Sequence, residues 1–75
     1  EYEIKVYPNP FNSSCKISGF NGLVSIYNIN GDRISKLETP GIWKPSDNSI
    51  SSGIYFLRGK GVDGKHFIGK TVYIQ

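Results

Sequence analysis

Covalent or acid–base chemistry needs reactive side chains held together as a set, and this 75-residue chain offers few from which to build one. It has a single histidine, His66, and a single cysteine, Cys15. A nucleophile and its base must come within hydrogen-bond reach, and these two belong to segments at opposite ends of the chain with nothing to bring them together. His66, beside Lys65, reads as a solvated residue at the start of a strand, and Cys15 as a small buried hydrophobe. None of the serines lies in a Gly-x-Ser-x-Gly turn. Asp32, Asp47 and Asp63 fall in turn or loop contexts without the spacing of a calcium loop. The glycines come singly, at turns and strand ends, so no loop cradles phosphate. The reading is of a non-catalytic chain with no cofactor and no metal site.

Binding is the other class of chemistry. One tryptophan, five tyrosines and four phenylalanines are more aromatic side chains than so short a chain easily buries. Phe56, Phe67 and Tyr73 fall on one face of a predicted hairpin, where they form either a contact patch or a strip covered by another segment. Trp43 with a neighbouring tyrosine could stack on a sugar ring, although a lone tryptophan is more commonly core. The net charge of +3 comes from basic residues scattered between Lys5 and Lys70, not from the cluster or stripe that a nucleic acid requires. No apolar run approaches the ~20 residues that span a bilayer, so no membrane insertion is expected. One cysteine precludes an internal disulfide. With no methionine anywhere, residues 1–75 read as a single domain excised from a longer protein.

The elements that would position these residues are all strands. Ser52-Gly53-Ile54-Tyr55-Phe56-Leu57-Arg58 is apolar on both faces, which suits a central strand with neighbours on each side. Residues 1–7 alternate with a period of two and stop at Pro8-Asn9-Pro10, where two prolines remove ladder donors. The expected result is a rigid kink that carries the chain between sheets and turns Phe11 inward as a plug. Short strands follow at 15–18, 23–29 and 33–37, with a turn at Gly19–Gly22. Asn30-Gly31 marks a hairpin. A two-residue turn there sets Ile34 opposite Tyr27. A three-residue loop with Gly31 left-handed sets Ile34 opposite Ile26, and this register is preferred because Val24, Ile26 and Ile34 then share a face. Ile42 and Trp43 form a further short strand, and Pro45 to Ser52 a crossing loop. A two-residue turn at Asp63-Gly64 pairs Tyr55 with Val72 and Gly59 with Ile68. Tyr55, Leu57, Ile68, Val72 and Ile74 then share one face, and Ile54, Phe56, Phe67 and Tyr73 the other. With no helical periodicity anywhere, the pattern predicts an all-β fold, a small antiparallel β-sandwich of about seven short strands.

Four motifs, in order, carry a resemblance: Val6-Tyr7-Pro8-Asn9-Pro10-Phe11-Asn12; Val24-Ser25-Ile26-Tyr27-Asn28 with Gly31; Ser52 to Arg58; and Lys70 before Val72. Together they resemble the C-terminal sorting domain, type A, of the type IX (Por) secretion system, over nearly the whole chain. The resemblance implies an Ig-like sandwich that directs an upstream cargo, through the periplasm, across the outer membrane of Bacteroidetes-type bacteria to the surface or medium. Its implied partners are the outer-membrane secretion machinery and a sortase-like peptidase. Carried over by position, the recognition residues are Pro8, Asn9, Pro10, Gly31, Gly53, Tyr55 and Lys70. The final strand, 65–75, is expected to offer a free edge to that machinery. The chain is also similar to the Ig-like domain of flagellar hook-capping proteins, which shares the Pro-Asn-Pro-Phe-Asn opening, though Lys44-Pro45 replaces the Asp-Gly usual after the tryptophan. Relatives of that kind imply an alternative, an accessory or carbohydrate-binding module of an extracellular enzyme.

Overall fold

The computed structural model describes residues 2–45 and 50–74; Asp47 and half of the expected crossing loop lie outside them. Among the described residues every regular element is a strand: β1 (Tyr2–Glu3), β2 (Lys5–Tyr7), β3 (Cys15–Tyr27), β4 (Arg33–Trp43), β5 (Gly53–Lys60) and β6 (His66–Tyr73). They form a single hydrogen-bonded sheet in the order β1-β6-β5-β3-β2, with β4 added along β3. Its two ends, β1 and β2, are separated in the chain by Ile4 alone, so the sheet curls until its ends meet at one buried residue. The interior holds Ile4, Phe11, Ile17, Phe20, Val24, Ile26, Trp43, Tyr55, Leu57 and Tyr73.

The described residues form six strands in one curled sheet where about seven short strands are expected, because two expected breaks are bends. Gly19 and Gly22 have positive φ, which lets β3 turn a corner without leaving the ladder, and the β3–β4 register shifts between Ile17 and Gly22. The carbonyls freed at this corner find a partner in Thr39, whose buried hydroxyl lies 2.7 Å from the Phe20 oxygen and 3.1 Å from that of Gly22. β4 likewise runs unbroken through Pro40 to Ile42 and Trp43.

At the first hairpin Gly31 is left-handed, as the longer loop requires. Yet Tyr27 faces Arg33 and Ile26 faces Ser35, so Ile34 occupies a bulge and matches neither expected register. At the second hairpin Gly61 and Lys65 close a loop whose left-handed residue is Gly64, one residue longer than expected. The register therefore moves by one: Tyr55 faces Thr71 and Gly59 faces Phe67. A slip of one turns every side chain of β6 over. Tyr55 and Leu57 stay in the core as expected, but Phe67 and Tyr73 now lie on the inner side with them, and Ile68 points out.

Candidate recognition surface

The prolines of the first motif hold Asn9 on a short exposed arm between β2 and Phe11. Its side chain reaches β6, more than sixty residues away in sequence. Asn9 Nδ2 donates to the Lys70 carbonyl at 3.0 Å, and Oδ1 accepts from the Val72 amide and the Thr71 hydroxyl, each at 3.2 Å. An amide side chain with a donor and an acceptor thus stands in for one residue of a strand. Phe11 continues the pairing: its amide donates to the Val72 carbonyl at 3.0 Å, and its carbonyl accepts from the Ile74 amide at 2.8 Å. Upstream, the Ile4 amide donates to the Ile68 carbonyl at 2.6 Å, and β1 pairs in parallel with Phe67 and Ile68.

These contacts overturn the expectation of a free final strand. β6 has β5 along one side and residues 2–4, Asn9 and Phe11 along the other, so its edge is already covered. Beneath the arm, Phe11 is buried as the expected plug, stacked on Tyr73 with ring centroids 5.1 Å apart and tilted against Trp43 at 5.5 Å. Trp43 in turn meets Tyr55 edge-on at 5.6 Å and is only 6% exposed. A tryptophan so placed cannot lie flat on a sugar ring, so the stacking role considered for it is withdrawn.

Of the motif residues, Pro8, Asn9, Pro10 and Lys70 come together on the surface, at the end of the sheet where Gly53 faces Tyr73. Tyr55 is buried below, its hydroxyl donating to the Ser51 carbonyl. Gly31 sits at the tip of the β3–β4 hairpin, apart from the arm. The proposed strip of Phe56, Phe67 and Tyr73 is divided: Phe56 is outward and 42% exposed, whereas Tyr73 is core and Phe67 tilts against Phe20 at 4.7 Å. The sequence reading missed Thr71, which is fully buried and bonded to Asn9. It also missed the outer row of Tyr27, Phe56 and Lys70, side by side across β3, β5 and β6. The correct β5–β6 register alone would have turned Thr71 inward and set Lys70 beside Phe56; the Asn9 bond and the β3–β5 pairing are long-range. Cys15 is buried, which pushes its thiol up to about 11, the direction of an inert structural cysteine. His66 faces Lys60 at the other hairpin, exposed.

The first and last of the motifs that are dispersed in sequence therefore meet in space, as an N-terminal arm laid along the C-terminal strand. Comparison with curated proteins and with solved structures gives no match. The sequence profile described as the secretion system C-terminal sorting domain, by contrast, matches residues 5–75, the stretch from β2 through the arm to the strand it covers. An alignment over that length takes in every motif just placed on the structure, and the chain belongs to the family of secretion system C-terminal sorting domains.

Proposed function

We propose that this chain is a non-catalytic sorting signal that carries an upstream cargo across the bacterial outer membrane, by way of the periplasm, to the cell surface or medium. Family membership supports export by the type IX route and contact with its machinery. The observation that carries the finer reading is the Asn9 arm, which makes the two ends of the motif set one surface and so gives a translocon a folded feature to recognise. A sortase-like peptidase acting upstream of β1 would release the cargo while leaving this surface whole. The corners in β3 and β4 suit an Ig-like two-layer arrangement, in which kinship with the hook-capping domains rests on the shared Pro8-to-Asn12 motif.

The test is a fusion of residues 1–75 behind a periplasmic reporter in a host that owns the type IX system. The expected result is reporter on the surface or in the medium, and retention in a mutant host lacking the translocon. Retention in the periplasm of the intact host overturns the proposal. Binding of the isolated chain to insoluble polysaccharide, with no export, would favour the accessory-module alternative instead.

A further inference from the structure

The outer face of the sheet has a composition of its own. Tyr27, Phe56 and Lys70 form one row across it, and Lys36, Ser25, Arg58 and Ile68 a second, with Glu3 beyond Ile68 on β1. Ile54 adds an exposed apolar side chain beside Val72. Tyr27, Phe56, Ile68 and Lys70 line a shallow groove of about 680 Å³ with Glu3 and Arg58. Around this apolar centre stand the exposed cations Arg33, Lys36, Arg58, Lys60 and Lys70, against the carboxylates Glu3 and Glu38. Among the described residues the ion pair is Lys65 with Asp63, at the hairpin loop, so none of these five cations is neutralised. Solubility alone would set lysines among acidic neighbours and would not leave Phe56 and Ile68 about two-fifths exposed on a diagonal of the same face.

We infer that this outer face is the docking surface for an acidic protein, one that seats an apolar side chain between Tyr27, Phe56 and Ile68 and ranges carboxylates over the surrounding cations. Aromatic residues and arginine at the centre with charge at the rim is the composition of a protein interface. The unpaired cations supply steering and register for a partner of opposite charge. A nucleic acid is disfavoured because its phosphates would follow a continuous basic track, whereas here the cations surround an apolar centre and Glu3 lies at its margin. The inference rests on the proposed export role, since the acidic partner is taken to belong to the export machinery.

The test uses the reporter fusion, with the melting temperature of each variant measured on the same protein. Arg58→Glu with Lys70→Glu is expected to lower export about tenfold or more, and Phe56→Ser similarly, with melting temperatures within a few degrees of the parent. Arg58→Lys with Lys70→Arg should restore export, and Lys16→Glu with Lys44→Glu, an equal charge change away from this face, should leave it intact. Full export of the Arg58→Glu, Lys70→Glu fusion overturns the docking surface while leaving the sorting role standing. Failure of the unaltered fusion to leave the periplasm overturns both. If instead the purified chain binds vesicles containing lipopolysaccharide, and the Arg58→Glu, Lys70→Glu variant does not, the face recognises an anionic glycolipid and the protein partner is rejected.

Discussion

Asn9 is the residue on which most depends relative to its size. Replacing it by alanine takes the Asn9 partner from the buried Thr71 hydroxyl, removes one donor and one acceptor from the edge of β6, and leaves the Lys70 carbonyl and the Val72 amide to water. Both are near the surface, so we expect a loss of about 1–2 kcal/mol in denaturant unfolding, with Asn9→Asp, which keeps only the acceptor, in between. A loss equal to that of an ordinary exposed asparagine would mean the arm is held by Phe11 alone. Cys15 makes a second prediction, through pH. Burial raises its thiol from 9.0 to about 11, so between those values the folded chain keeps a proton that the unfolded chain gives up. This contribution to stability is complete below pH 9 and is lost as the pH climbs to about 11. Stability of Cys15→Ala should be flatter over that window than the parent's, and alkylation of Cys15 should be slow until the chain unfolds.

At the scale of elements the sensitive quantity is register. A Cβ added at Gly59 would stand 2.7 Å from the Phe20 ring, so Gly59→Ala should cost about 1–3 kcal/mol through overpacking. Shortening the ring in Gly59→Ala with Phe20→Leu should return part of it. On β6 the observed pairing predicts that Phe67→Ser destabilises clearly more than Ile68→Ser. The reverse order would restore the two-residue turn. Much of this level was legible in the sequence. The central strand with Tyr55 and Leu57 inward, the plug at Phe11 and the left-handed Gly31 all follow from local chemistry, because alternation and turn glycines act within a few residues. The side of β6 did not, since Asp63-Gly64 serves a two-residue or a three-residue loop equally and the choice is made by Phe67 finding Phe20. Nor was the covered edge legible: an asparagine between prolines carries no signal of a partner at positions 70–72. Of the expected aromatic strip, Phe67 and Tyr73 therefore turn inward and Phe56 stays on the outer face, where Tyr27, read only as a strand residue, pairs with it.

For the molecule as a whole, size decides how much a single side chain can matter. Stability for a chain of this length is on the order of 4–11 kcal/mol. Tyr55→Ala should take about 3–5 kcal/mol of that, since Tyr55 supports Trp43 and anchors Ser51. We expect that variant to be largely unfolded by circular dichroism near body temperature, and a melting point close to the parent's would show that the core tolerates the void. The arrangement of the ends has a further, mechanical consequence. β1 runs parallel to β6, and Phe11 parallel to Tyr73, so tension applied between the beginning and the end of the described chain pulls the two segments along each other instead of peeling them apart. The bonds from Ile4 to Ile68, from Asn9 to Lys70 and Val72, and between Phe11 and its neighbours Val72 and Ile74 are then loaded together. A domain towed by one end while it is gripped near the other would resist in shear, giving way in one step at high force, and Asn9→Ala would lower that force.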